Sequence, residues 1–191
     1  MSFDSPEAII ERLKAGNERF VKDTTEGKLR DQARRADLVG GQKPWAIVLS
    51  CADSRVAPEL AFDTGLGELF VLRVAGNIAN TDTIASIEYA VAHIGSPVIV
   101  VLGHQSCGAV TAAIAGGDNG YNLNHLLAQI TPAVHQCDSD KVDDVVHLNA
   151  QLAAQDLVKR SDIISKAVAD DNLTIVSAFY SLEDGSVSFH D

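Results

Sequence analysis

Trp45-Ala-Ile-Val-Leu-Ser50, running directly into Cys51-Ala52-Asp53-Ser54-Arg55, is the stretch on which the fold turns. It is a short apolar run that stops abruptly at a polar cluster. Three further runs resemble it: Leu69-Phe-Val-Leu-Arg73, Pro97-Val-Ile-Val-Val-Leu102 and Leu173-Thr-Ile-Val-Ser-Ala-Phe179. Short runs that are apolar throughout and rich in β-branched residues suit parallel strands buried on both faces. Helical stretches separate them, over 81–93, 107–115, 123–134 and 142–168. Strands alternating with helices predict an α/β fold: a mainly parallel four-stranded sheet flanked by helices. Glu183-Asp184-Gly185 is a turn signal, after which 186–189 folds back as an antiparallel edge strand.

Upstream of Trp45, residues 5–40 read as a helical arm, with Pro6 in its first turn. Ile9, Leu13 and Phe20 give it only a thin apolar stripe, which predicts that it lies across a second subunit. The chain of 191 residues is long enough for one domain with a full core. Residues 1–191 are therefore read as a single domain, 1–40 being the arm and 41–191 the α/β core. Gly116-Gly117-Asp118-Asn119-Gly120 is a loop within it, not a linker.

The formal net charge of -11 argues against nucleic acid or an anionic membrane surface as partner. No apolar stretch reaches the length of a membrane span. Met1 to Ile10 carries acids and no basic run, unlike a secretory leader, so the expected location is the cytoplasm. Three cysteines cannot all pair among themselves, which leaves metal binding or thiol chemistry open.

Two polar clusters follow predicted strands directly: Cys51 to Arg55, and Gly103-His104-Gln105-Ser106-Cys107-Gly108. In an open parallel sheet, ligands bind beyond the carboxyl ends of the strands. If these two strands are neighbours, Cys51 and His104 emerge side by side, with Cys107 about one helical turn further on. Two thiolates and an imidazole suit zinc. Three protein ligands leave a fourth position for water, as in catalytic rather than structural sites. Asp53 can either ligate the metal itself or accept a hydrogen bond from metal-bound water while Arg55 holds its carboxylate; the second reading is favoured. Singly, each of these residues has an ordinary structural reading. A buried cysteine is usually a small hydrophobe, and an exposed ion pair is worth little.

Cys-x-Asp-Ser-Arg followed by His-x-x-Cys resembles the signature of β-class carbonic anhydrases. The resemblance extends through Gly67-Glu68-Leu69-Phe70-Val71, Arg73, Asn77, Ile87-Glu88-Tyr89-Ala90 and Gly103-His104. It implies one zinc ion per chain on Cys51, His104 and Cys107, with Asp53 and Arg55 as the dyad that orients zinc-bound water. It implies reversible hydration of carbon dioxide to bicarbonate and a proton, by attack of zinc-bound hydroxide. It further implies a substrate pocket in which the Gln42 amide meets bicarbonate and Phe70 and Tyr89 form an apolar wall, partly supplied by a neighbouring subunit. The implied assembly is a homodimer or homotetramer.

One departure from the family pattern has a consequence. Members that switch to a closed site, with the aspartate on zinc, use a tryptophan three residues before the first cysteine, together with an arginine and a tyrosine. Here Val48 stands at that position, Trp45 is displaced by three, and Arg73 and Tyr180 match the other two. The expectation is the open form without that switch. His93 and His125 are candidates for a proton shuttle by residue type alone and are assigned no such role, Cys137 reads as an ordinary thiol, and His190 and Asp191 as incidental. Rival readings are a hydrolase of carbonyl sulfide or carbon disulfide on the same zinc site, and a non-catalytic zinc-binding relative. A redox role for Cys51 and Cys107 lacks the Cys-x-x-Cys spacing.

Overall fold

A computed structural model describes residues 4–190; Met1 to Phe3, which open the leader reading, and Asp191 lie outside the described residues. In chain order the elements are α1 (Pro6–Val21), α2 (Gln32–Asp37), β1 (Ala46–Ser50), α3 (Pro58–Ala61), β2 (Leu69–Arg73), α4 (Thr81–Tyr89), β3 (Val98–His104), α5 (Gly108–Ala115), α6 (Tyr121–Ala128), α7 (Thr131–Gln136), α8 (Val142–Arg160), α9 (Asp162–Ala169), β4 (Thr174–Tyr180) and β5 (Val187–His190). The sheet order is β2-β1-β3-β4-β5, parallel except for the last pair. The expected architecture of four parallel strands and an antiparallel edge strand is therefore present.

All of β1 is buried, because it lies inside the sheet between β2 and β3 with a helical layer on each face. Its side chains still alternate. Ile47 and Leu49 join Ile99 and Val101 in a core with Ile84 and Ile87 of α4 and Leu157 of α8. Ala46 and Val48 join Val98, Val100 and Leu102 on the other face, against α1 and Phe62. Each fully buried aliphatic side chain of this kind contributes about 1.5–3 kcal/mol. The continuous apolar run is thus two period-two stripes superposed.

The N-terminal segment departs from expectation in two ways. Its first helix ends at Val21, and residues 22–31 are not helical. Its stripe does not await another subunit either, since Ile9 and Leu13 are buried in the chain's own core. Gly16 permits this approach: a Cβ there would stand 2.0 Å from the Phe62 carbonyl oxygen. Asp63 anchors the loop that follows. It accepts from Glu26 N–H at 2.9 Å, Gly27 N–H at 3.1 Å and Arg19 Nε at 2.7 Å, with Arg30 Nη2 at 3.8 Å.

Two long predicted helices are each broken. The 123–134 helix divides at Gln129 and Ile130, before Pro132 in the first turn of α7. The 142–168 helix divides at Ser161, which is extended and caps α9 by accepting from Ile164 N–H at 3.1 Å. Helix α4 runs on into a π-helical turn, Ala90–Ile94, ended by Gly95 in the left-handed region. Among the described residues no helix is long and apolar enough to cross a membrane.

Candidate metal centre

From β1 the chain goes out to β2 on one side and then returns to β3 on the other, so the strand order reverses between β1 and β3. That reversal is where open α/β sheets bind ligands. Ser50 pairs with Leu102, so Cys51 leaves β1 beside the last residues of β3, where His104 stands. Cys107 precedes α5 as its N-cap residue.

The ligand atoms of Cys51, His104 and Cys107 all lie within 4.8 Å of one another, and all three residues are buried. His104 Nδ1 is 2.9 Å from the carbonyl oxygen of Gln105, which makes it the protonated nitrogen. The lone pair is then on Nε2, which is buried and has no hydrogen-bond partner. An uncompensated buried nitrogen beside two thiols is costly unless something ligates it. The donor set, two sulfurs and one imidazole nitrogen, fits zinc.

The thiols are electrostatically unequal. Hydrogen bonding with Cys107 pulls the Cys51 thiol well below its usual range; burial opposes this, and the Gly76 N–H, 3.3 Å from Sγ, assists it. Cys107 is pushed up in turn, first by that same partner and then by burial. The cysteines are free of disulfide.

Arg55 clasps Asp53 at both oxygens. Its Nε and its backbone N–H each donate to Oδ1 at 2.9 Å, and Nη2 donates to Oδ2 at 2.7 Å. The Arg55 contact holds the carboxyl well below the ordinary carboxylate range, against the effect of burial. Oδ2 also lies 3.9 Å from His104 Nε2. Arg73 fixes the same loop from β2, donating from Nε to the Cys51 carbonyl at 2.9 Å and from Nη2 to the Asp53 carbonyl.

The structure brings together five of the eight sequence-predicted site residues: Cys51, His104, Cys107, Asp53 and Arg55. Within one chain it does not bring Gln42, Phe70 or Tyr89 to them. Gln42 is exposed ahead of β1, at the opposite end of that strand from Cys51. A five-residue strand separates these ends by roughly 16 Å. Phe70 is level with Ile47 and contacts Tyr89, ring centroids 6.5 Å apart, and Tyr89 is 52% exposed. The His93 ring lies tilted against Tyr89, centroids 5.1 Å apart, and Cys137 ends α7 as a half-buried thiol.

Sequence reading attached no role to two further neighbours. Gly76, at φ 70°, supplies the N–H to Cys51, and its carbonyl accepts from Asn149 Nδ2 of α8 at 2.9 Å. The available signal was faint: an amide standing among Val145, Val146, Ala150 and Ala153 on the buried stripe of a helix.

Comparison with known proteins agrees with this geometry. A family profile described as carbonic anhydrase matches residues 46–187. Carbonic anhydrase 2 of Mycobacterium tuberculosis is 40% identical over 98% of this chain and 94% of its own length. The carbonic anhydrase of Mycolicibacterium smegmatis is 38% identical over the same shares. Among solved structures, the Coccomyxa β-carbonic anhydrase in complex with acetazolamide is 26% identical, with a TM-score of 0.72 over 98% of this chain and 86% of that one. A tetrameric β-carbonic anhydrase of Sordaria macrospora shares the fold at 23% identity, with a TM-score of 0.76 over 95% and 96% of the two chains. A profile running from β1 to β5 and near-full-length relatives place this chain in the carbonic anhydrase family, within its β class.

Proposed function

We propose that the chain catalyses the reversible hydration of carbon dioxide to bicarbonate and a proton, with one zinc ion per chain held by Cys51, His104 and Cys107. The observation that carries this reading is the buried Cys-His-Cys set, its unpartnered nitrogen facing the clasped Asp53 carboxylate. Bound zinc would supply Lewis acidity, lowering the pKa of water to about 7.

The protein's own groups then have distinct tasks. Asp53 Oδ2 accepts one hydrogen bond from Arg55 and keeps a lone pair for the attacking water, whose remaining lone pair is thereby aimed at carbon. Arg55 keeps Asp53 ionised, so Asp53 accepts rather than donates at that water. Phe70 and Tyr89 hold carbon dioxide in an apolar wall, and the Gln42 amide donates to a bicarbonate oxygen. These three stand away from the metal set of their own chain, which supports a pocket completed across a homodimer or homotetramer. Water adds one oxygen to the carbon, bicarbonate leaves, and the proton passes to solvent. Because Arg55 engages both carboxylate oxygens, the geometry favours the open form over one with Asp53 on the metal. Trp45 stacks under Arg12 at 4.4 Å at the start of β1, while Arg73 ends β2 opposite Ser50. That separation supports the lack of the bicarbonate switch. Three free cysteines suit a reducing compartment such as the cytoplasm.

The test combines zinc analysis with stopped-flow, pH-indicator measurement of carbon dioxide hydration. Wild type should carry one zinc per chain and be active. Cys51→Ser should lose the metal and more than about a thousandfold in rate, since enzymes accelerate their reactions by ~10⁶ or more. A zinc-loaded but inactive wild type, or a fully active Cys51→Ser, would overturn the proposal.

A further inference from the structure

Helix α8 carries its buried face on small and aliphatic residues, yet Asn149 on that face is 97% removed from solvent by its 3% exposure. Burying an amide is unfavourable unless its hydrogen bonds are made, and an aliphatic side chain would pack there without that cost. Asn149 donates from Nδ2 to the Gly76 carbonyl oxygen at 2.9 Å. Gly76 donates from its own N–H to Cys51 Sγ at 3.3 Å. The two peptide planes meet at the Gly76 Cα, so fixing one constrains the other.

The Gly76 backbone has little other freedom. Its φ of 70° lies where L side chains are disfavoured, and a Cβ there would come within 2.6 Å of Ile130 Cδ1 and 3.3 Å of Ala109 Cβ. The glycine is thus seated between Ile130, just ahead of α7, and Ala109 of α5, with Asn149 as its polar tether to α8. Its path from α8 to the metal set is short: one amide, one glycine, one sulfur.

We propose that Asn149 is a positioning residue for the Cys51 thiolate. By holding the Gly76 carbonyl, it aims the Gly76 N–H at the sulfur, sets the direction of the sulfur lone pairs and draws electron density from the thiolate toward the backbone. This inference rests on the zinc reading above. Hydrogen-bonding partners of metal ligands typically tune metal affinity by 10–100-fold when removed. At one bond's remove from the sulfur, Asn149 belongs at the lower end of that range.

The test uses the full-length chain, zinc competition against a chromophoric chelator, and the thiolate-to-metal charge-transfer band of the cobalt(II) form. Asn149→Ala should raise the zinc dissociation constant about tenfold and move the band to lower energy, because a sulfur without its N–H donor is easier to oxidise. Leu157→Ala is the control: it empties a fully buried position on the same helix without touching the Gly76 loop. It should lower thermal stability while leaving affinity and band at wild-type values. If Asn149→Ala does not fold, Asn149→Leu, branched at the same carbon, apolar in a buried position and unable to donate, takes its place with the same expectations. An Asn149 variant with unchanged affinity and band, or one no different from Leu157→Ala, overturns the positioning role while leaving the zinc reading intact. A wild type that takes up no zinc overturns both.

Discussion

Asp53 and Asp63 make an instructive pair. Both are held by arginine, and both are kept below the ordinary carboxylate range. The Asp63 side chain is fully buried, and its oxygens are taken up by two backbone N–H groups and the arginines of α1 and the following loop. Asp53 is 17% exposed, takes its hydrogen bonds from the neighbouring Arg55, and leaves Oδ2 turned toward an unpartnered histidine nitrogen. The first cluster closes on itself and ties the chain together. The second stops one partner short. An unfinished polar cluster distinguishes a site from a brace, because a brace gains stability only when every group is satisfied.

The sharpest way to break this contrast is to disable the Asp53 clasp. Asp53→Asn or Arg55→Ala should cost up to about a hundredfold in carbon dioxide hydration while zinc content and unfolding midpoint stay near wild type. Arg55→Lys should not restore the rate, because a point charge cannot span both carboxylate oxygens. A large loss of stability without a loss of rate would place Asp53 in the same class as Asp63.

The reciprocal change is Asp63→Asn. Removing the charge that Arg19 and Arg30 face should lower stability by about 2 kcal/mol in urea unfolding, with zinc uptake unchanged. The smallest effect is in the pH dependence of that stability. Burial would raise the Asp63 carboxyl, but the Glu26 and Gly27 N–H groups and Arg19 outweigh it and hold it low. A depressed carboxyl contributes stability that is present above its unfolded value near pH 4 and is lost as pH falls through the folded value. The acid limb of the wild-type unfolding curve should therefore be steeper than that of Asp63→Asn. Parallel limbs would show that the carboxyl is not held low.

What the sequence made legible was local or periodic. The β1 run and its polar tail, the His104-x-x-Cys107 cluster and the turn before β5 all announce themselves within a dozen residues. That β1 and β3 are neighbours stood in the sequence only as a condition, which the sheet order meets. What stayed hidden depends on distant partners. Ser161 and Pro132 are signals that end a helix, yet the apolar pattern around each runs on and masks the break. The α1 stripe looked too thin to bury because the close approach that Gly16 allows, against the backbone at Phe62, has no sequence signature. Asp63 reads as an ordinary loop acid until Arg19 and two N–H groups fold onto it. Gln42, Phe70 and Tyr89 could be named by resemblance alone, since one chain does not assemble them with the metal set.

The parallel pairing of Ile47 with Ile99 has a consequence for how the chain folds. A parallel neighbour cannot be reached by a hairpin, so α3, β2 and α4 must be threaded before Cys51 meets His104. The entropy of closing that long segment falls on strand pairing, a slow, high-contact-order step. On the proposed zinc reading, the three ligands take up their native arrangement only once β1 and β3 are paired. In a refolding experiment, the moment of zinc capture would time the completion of the central sheet.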